Sequence, residues 1–140
     1  MANTTERLHK SLLSSNTLSQ YFSRNRRSML ESESLGTYVD LLLEKKNVTK
    51  YRLIHDADVS HSYGYEMLAS RRAPNRNILL RFALVLGLSV DETQHMLTIA
   101  EVGILYPRKK RDSVILFGLK NKSSYIDVNL QLDSYGLPTI

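Results

Sequence analysis

The side chains with the clearest chemical potential lie between residues 49 and 72, which read TKYRLIHDADVSHSYGYEMLASRR. His61, Ser62 and Tyr65 carry groups that donate and accept hydrogen bonds, and a tyrosine ring can also contact a methyl group. Arg71 and Arg72 follow closely, and guanidinium groups suit phosphate oxygens. These residue types suit the non-covalent recognition of a polar, anionic partner.

Positive charge is concentrated around this stretch. Between Lys45 and Arg81 there are eight basic and three acidic residues, so the local net charge is +5. The whole chain is also +5, which leaves the rest of the sequence neutral overall. Positive charge gathered on one segment is typical of phosphate binding. The basic residues are Lys45, Lys46, Lys50, Arg52, Arg71, Arg72, Arg76 and Arg81, and the acidic ones are Asp56, Asp58 and Glu66.

The composition excludes several protein classes. The chain has 140 residues, enough for one domain with extensions, and its 42% hydrophobic content can form a core. It contains no cysteine, which excludes disulfides and thiolate metal sites. No apolar run approaches the roughly 20 residues that span a bilayer, and residues 1–16 lack the apolar core of a secretory signal. We therefore expect a cytoplasmic protein without membrane association.

Sequence motifs for catalysis and cofactor binding are absent. The glycines are dispersed, so there is no Walker or dinucleotide-binding loop, and no serine lies in a G-x-S-x-G motif. His9, His55 and His95 lack metal-ligating partners at helical spacing. We therefore expect no enzymatic activity, no cofactor and no metal ion.

Two short helices joined by a tight turn are predicted to position the recognition residues. Thr49 is suited to N-cap the first helix, and Asp58 to adopt the left-handed backbone of the turn. Ser60 is suited to N-cap the second helix, which runs to about Leu68. Such a pair, followed by two arginines, is the layout of a helix-turn-helix DNA reader, in which the second helix enters the major groove.

Helices are also predicted on both sides of this pair. An apolar helical face begins at Leu35 and recurs at positions i+4, i+7 and i+8. A helix at 76–86 ends at Gly87, because glycine favours the end of a helix. Ser89 and Glu92 then form a capping box that starts a further helix.

The two ends of the chain are predicted as helical extensions of this domain. Residues 1–34 are polar and weakly helical, and form short docked helices, an arm that orders on binding, or a disordered segment. Residues 104–140 contain two predicted helices, at 108–121 and 124–135. The prediction is an all-α chain with a helix-turn-helix domain at 35–103.

Residues 35–98 resemble the phage-repressor-like helix-turn-helix family, also described as Cro/C1 or XRE type. The resemblance rests on T-K-x-x-L-I-x-x-A-x-V-S-x-S-Y from Thr49, R-R-A-P-N from Arg71, and L-L-R-F-A-L-V-L-G-L-S-V-D-E from Leu79. The flank from Tyr106 onwards is similar to the C-terminal extension of Gram-positive bacterial members. The resemblance implies a five-helix, lambda-repressor-like module in a bacterial, nucleoid-associated regulator.

The resemblance also implies two sets of DNA contacts. His61, Ser62 and Tyr65 correspond to positions that reach base edges in the major groove. Other positions correspond to residues that grip the phosphate backbone and orient the protein without reading sequence. These phosphate candidates are Thr49, Lys50, Ser60, Arg71, Arg72, Asn75 and Arg76.

Three features need an explanation beyond the family pattern. Gly64 stands where an apolar residue is usual, and is expected to leave room for Tyr63 or Tyr65. Asp58 stands where glycine is common. The basic run at 108–111 starts a predicted helix, where cations oppose the helix dipole. We expect this run to reach flanking DNA, an acidic partner or solvent.

The main hypothesis is a sequence-specific, double-stranded-DNA-binding transcription regulator, acting as a homodimer, with the helix at 60–68 in the major groove. One alternative is a protein-interaction adaptor, or antitoxin-like module, that uses the same fold to bind a protein partner. Another is a basic, non-specific nucleic-acid binder. The C-terminal helices are expected either to dimerise or to pack on the module.

Overall fold

The computed structural model describes residues 4–26 and 34–140, and the chain divides into two compact units, Met1–Glu33 and Ser34–Ile140. Within the described ranges the regular structure is helical and contains no strand, which confirms the all-α prediction. None of the helices there has the length and apolar character needed to cross a membrane.

The first unit contains two short helices, α1 (Thr4–Ser14) and α2 (Leu18–Arg24). Thr17 N-caps α2, and the Asn25 side-chain amide donates hydrogen bonds to the Ser11 hydroxyl at 2.7 Å and to the Tyr21 carbonyl at 2.9 Å. The described part of residues 1–34 is therefore helical. The parts of that expectation that concern residues 1–3 and 27–33 lie outside the described residues.

The second unit begins with the five helices expected of the central domain and ends with two more. Its helices are α3 (Leu35–Lys46), α4 (Lys50–Asp56), α5 (His61–Leu68), α6 (Arg76–Leu86), α7 (Val90–Ala100), α8 (Lys110–Lys120) and α9 (Tyr125–Ser134). Their ends follow the predicted capping chemistry. Thr49, Ser60 and Ser89 accept backbone N–H groups as N-caps, and Gly87 ends α6 with φ +62°. Asp58 lies between α4 and α5 with φ +56°, the left-handed conformation predicted for it.

The core of this unit is centred on α6. Leu79, Leu80 and Phe82 are completely buried there, and α6 packs against α4, α7, α8 and α9. Residues 104–140 therefore share the core of the central helices, because α8 and α9 both pack on α6. Ile140 is itself buried, and its backbone N–H and carbonyl are both hydrogen-bonded to the Asn129 side chain.

Gly64 allows α5 to approach α4 closely. A Cβ atom at this position would lie 2.8–2.9 Å from three carbons of the Ile54 side chain, which is completely buried. The space that a Cβ atom would need is thus taken by Ile54, and the expectation that Gly64 leaves room for Tyr63 or Tyr65 stays a prediction. The cost of glycine in a helix, about 1 kcal/mol, is offset by this helix-to-helix packing.

The substitution Gly64→Ala is expected to lower the free energy of unfolding by about 1 kcal/mol. Overpacking against Ile54 costs roughly 1–3 kcal/mol, and the gain in helix propensity is at most about 1 kcal/mol. Urea unfolding of the variant measures the difference. Ser62→Ala, at an exposed position of the same helix, is the control and should change stability by less than about 0.5 kcal/mol. A more stable Gly64→Ala variant would contradict the packing argument.

Glu92 joins the N-terminus of α7 to α3. Its carboxylate accepts the Ser89 backbone N–H at 2.9 Å, completing the predicted capping box, and lies 3.3 Å from Lys45 Nζ. The Ser89 hydrogen bond, assisted by Lys45, lowers the pKa of Glu92. A lowered pKa contributes stability above the ordinary pKa of the group, and this stability is lost as the pH falls through the folded-state value.

The substitution Glu92→Gln should therefore flatten the acid side of the stability profile. We expect the loss of stability from neutral pH to below about pH 4 to be smaller in the variant than in the parent protein. Chemical unfolding at a series of pH values tests this, with Glu44→Gln on the exposed surface of α3 as the matched control. If stability falls equally with falling pH in Glu92→Gln and in the parent protein, the contribution assigned to Glu92 is refuted.

Candidate nucleic-acid interface

Four rings from α4 and α5 form a cluster on the surface of the second unit. The Tyr51 and His61 rings are stacked, with centroids 4.4 Å apart and planes 14° from parallel. His55 is stacked at 6.1 Å from each of them, and Tyr65 lies 6.4 Å from His61. We call these four residues the ring cluster. It brings the first turn of α4 against the first turn of α5.

The residues predicted to reach base edges share one outward side of α5. Ser62 and Tyr65 are exposed, the latter by 41%, whereas His61 is half-buried. The opposite side of α5 is buried, and is formed by Gly64, Met67 and Leu68. The prediction that these residues lie on an exposed side of the helix agrees with the geometry at Ser62 and Tyr65, whereas His61 is more enclosed than expected.

Two members of the ring cluster, Tyr51 and His55 on α4, were not predicted from the sequence. Tyr51 is 58% exposed, and His55 is also exposed. A signal was present, because the two residues are four apart and fall on the side of α4 opposite Leu53 and Ile54, which are buried. The spacing of residues within one helix could not show that this side of α4 lies next to the outward side of α5.

Three predicted phosphate contacts serve as N-caps. The side-chain oxygens of Thr49, Ser60 and Asn75 accept the backbone N–H groups of Arg52, Tyr63 and Ile78 at 3.1, 3.3 and 3.1 Å. Each side chain still has a donor, because a hydroxyl proton or an amide NH₂ group is not used by a cap. Capping and a phosphate contact are therefore compatible at these three positions.

Most of the cations in the segment Lys45–Arg81 have acidic partners. Five of the eight basic residues form ion pairs, some with carboxylates from outside that segment, so its net charge of +5 overstates the free positive charge. The pairs are Lys45–Glu92 at 3.3 Å, Lys50–Asp40 at 3.2 Å, Arg52–Asp56 at 2.9 Å, Arg76–Asp112 at 3.1 Å, and Arg72–Glu66. The Glu66 carboxylate raises the pKa of Arg72. Arg71 is exposed, and none of the ion pairs among the described residues includes it.

Arg76 is engaged in an internal network. Its guanidinium donates hydrogen bonds to the carbonyls of Gly103 and Ile104, both at 3.0 Å, and to both carboxylate oxygens of Asp112. Asp112 is only 2% exposed and also accepts the Tyr106 backbone N–H. A phosphate could bind Arg76 only if the guanidinium moved away from Asp112. That would leave a buried carboxylate without its cation. The geometry therefore gives Arg76 a structural role joining α6 to α8.

The basic run at 108–111 is partly explained by tertiary contacts that the sequence did not reveal. Arg111 donates hydrogen bonds to the carbonyls of Pro138 and Thr139 and to the Asn77 side chain. Burial, followed by the proximity of Arg76, lowers the pKa of Arg111. The Lys110 ammonium lies 5.3 Å from the centroid of the Tyr135 ring. Arg108 and Lys109 are exposed.

The turn between α4 and α5 is held by residues from α6 and α9. Arg81 donates a hydrogen bond to the Ala57 carbonyl at 3.2 Å and lies within 3.5 Å of the Asp58 carbonyl. The Tyr125 hydroxyl donates to the Asp58 carboxylate, and the Tyr125 ring lies 5.7 Å from the Arg81 guanidinium carbon. We call Arg81 and Tyr125 the turn brace. It connects the C-terminal extension to the turn that sets the angle between α4 and α5.

Residues 4–26 and 34–140 hold no group of three or more His, Asp or Glu side chains that could bind a metal ion. In comparisons with known proteins, no family model, curated protein or solved structure matches this chain.

The substitution Arg76→Ala is expected to destabilise the fold by about 3 kcal/mol or more, because it leaves the buried Asp112 carboxylate unpaired. Arg71→Ala, which removes an exposed arginine five residues earlier, should cost less than about 0.5 kcal/mol. Thermal and urea unfolding of both variants provides the comparison. Equal, small losses would contradict the structural role of Arg76 and return it to the set of available phosphate contacts.

Proposed function

We propose that residues 34–140 form a sequence-specific, double-stranded-DNA-binding transcription regulator. In this proposal α4, the turn and α5 are a helix-turn-helix, and α5 lies in the major groove. The observation that carries it is the outward face of α5, where His61, Ser62 and Tyr65 stand together. The acidic residue of α5, Glu66, is paired with Arg72, so this face presents no uncompensated carboxylate to DNA.

The dimensions of α5 support insertion into a groove. An α-helix with its side chains is about 10–12 Å in diameter, and the major groove, about 12 Å wide, admits it. The side of α5 opposite the outward face is buried in the unit. The turn brace binds the turn that precedes the N-terminus of α5. Residues on the outward face would therefore be presented with little conformational freedom, which favours selective contacts.

A small set of cations is available for the phosphate backbone. Arg71 is exposed and follows α5 directly, while Lys50 and Arg72 are paired with partly exposed Asp40 and Glu66. Exposed pairs of this kind contribute only about 0–1 kcal/mol, so a phosphate can replace the carboxylate at low cost. Thr49, Ser60 and Asn75 add uncharged donors.

The resemblance to phage-repressor-like, XRE-type regulators supports the same function and a twofold dimer in bacterial cytoplasm. Dimers of such modules bind half-sites about one helical turn apart. The candidate dimer contact is the C-terminal pair α8 and α9, where Phe117, Ile126 and Leu130 are exposed. No step of this proposal needs catalysis or a cofactor.

A second candidate function is a protein-interaction adaptor or antitoxin-like module. Two observations favour it: the ion pairing of most nearby cations, and the exposure of Tyr51 and Tyr65. Tyrosine is enriched at protein interfaces, whereas paired cations contribute less to phosphate binding. An adaptor would show weak, non-selective binding to DNA and tight binding to a protein partner.

Selection from a random duplex library tests the main proposal. We expect enrichment of an inverted repeat, with an affinity that falls as salt rises because phosphate contacts release counterions. Arg71→Ala should weaken binding to specific and random duplexes alike and reduce the salt slope by about 1. Lys120→Ala, an exposed cation outside both the proposed interface and the basic run at 108–111, is the matched control and should leave the slope unchanged.

Two outcomes would contradict this function. Absence of any enriched sequence, with only weak binding that random DNA competes away, would support the adaptor. Tight binding without sequence preference, at a steep salt slope, would instead indicate a non-specific nucleic-acid binder.

A further inference from the structure

His61 has an unusual environment for a residue on a recognition surface. Its Nδ1 atom is buried and has no hydrogen-bond partner among residues 4–26 and 34–140. Within those residues, no hydrogen bond to this nitrogen sets the orientation of the ring. The closest ring contact is Tyr51, stacked at 4.4 Å and 14° from parallel, whereas the His55 and Tyr65 rings lie beyond 6 Å.

Burial of Nδ1 favours one form of the neutral imidazole. A neutral histidine has one N–H donor and one acceptor nitrogen. A buried N–H group without a partner is rarer in proteins than an under-used acceptor. The proton is therefore favoured on Nε2, which leaves Nδ1 as the buried acceptor and makes Nε2–H the donor of this ring.

We propose that Tyr51 is a positioning residue that holds His61 as a fixed Nε2–H donor directed at the N7 acceptor of a purine in the major groove. This proposal rests on the DNA-binding function proposed above and deepens it. Both purines present N7 there, and guanine O6 and thymine O4 are the other base acceptors of that groove. Cytosine presents only an N4 amino donor, which a histidine N–H cannot bind.

The fixed ring matters for selectivity. A histidine that exchanges freely between its two tautomers can donate or accept, and so can satisfy either a purine acceptor or a cytosine donor. Holding the proton on Nε2 removes the second option. In the ring cluster, the faces of Tyr51 and His61 that point at each other are occupied by their mutual stacking. The pair therefore offers ring edges, which suit base-edge recognition better than the stacking of unpaired bases.

The first test measures the His61 tautomer in the full-length protein without DNA. Long-range proton–nitrogen NMR correlations, recorded at mildly alkaline pH, distinguish protonated Nε2 from protonated Nδ1. We expect the Nε2–H form in the parent and in Tyr51→Phe, which retains the stacked ring. Tyr51→Ala should give averaged nitrogen shifts, similar to those of the exposed His9 in the same spectrum.

The positioning role would be overturned by a parent His61 protonated on Nδ1, or by a Tyr51→Ala spectrum unchanged at His61. Thermal unfolding of both Tyr51 variants shows whether each remains folded. If Tyr51→Ala unfolds, Tyr51→Leu keeps an apolar side chain without an aromatic face and serves the same purpose.

The second test measures base preference on the duplex recovered by selection. Replacing single purines with their 7-deaza analogues removes N7 while keeping base pairing. At one position per half-site the parent and Tyr51→Phe should lose affinity by about fivefold or more, the size of a good base contact. His61→Ala and Tyr51→Ala should show no such loss at that position, with their salt slopes unchanged.

Full retention of the 7-deaza effect in Tyr51→Ala would overturn the positioning role while leaving DNA binding intact. A parent protein that shows no 7-deaza effect at any purine would overturn the N7 contact. Failure to bind any duplex would reject the proposed function together with base reading. The tautomer measurement would still decide whether Tyr51 fixes His61.

Discussion

Burial of α6 is the constraint on which the second unit depends. Its Leu79, Leu80 and Phe82 side chains are removed from water, and α4, α7, α8 and α9 surround the helix. Each fully buried side chain of this size contributes roughly 1.5–3 kcal/mol. Helices as short as α4 and α5 are not stable alone, so their orientation comes from this packing. The orientation of the proposed recognition face on α5 therefore depends on α6, although α6 contains none of the residues predicted to contact bases.

Ion pairs around that core engage five of the eight cations between Lys45 and Arg81. The buried Asp112 holds Arg76, and exposed carboxylates hold Lys50 and Arg72. A buried pair is weak evidence for stability, since desolvation offsets attraction; its effect here is to join α8 to α6 in one orientation. In the proposed function, this ion pairing means that affinity for DNA has to depend more on directional contacts from α5. The proposed N–H donor of His61 is one such contact.

The sequence predicted local features well and long-range ones poorly. Thr49, Ser60 and Ser89 were identified as N-caps because capping depends on residues three apart, and left-handed Asp58 followed from turn chemistry. The turn brace pairs Asp58 with a residue 67 positions away, and no local pattern encodes such a contact. The need for glycine at position 64 could not be predicted either, because the atoms that leave no space for a Cβ there belong to Ile54 on another helix. Site residues on one helix could be grouped from spacing, but their alignment with Tyr51 could not.

The most direct test of DNA reading by α5 is NMR mapping of the 140-residue chain as a selected duplex is added. If α5 reads DNA, the largest backbone and side-chain shifts occur at Ser62, Tyr65 and His61, with smaller shifts at Arg71 and near Lys50. Residues around Asp112 should shift little, because Arg76 remains paired in the complex. Shifts concentrated on α8 and α9, or uniformly small shifts across α5, would contradict the claim that this helix reads DNA.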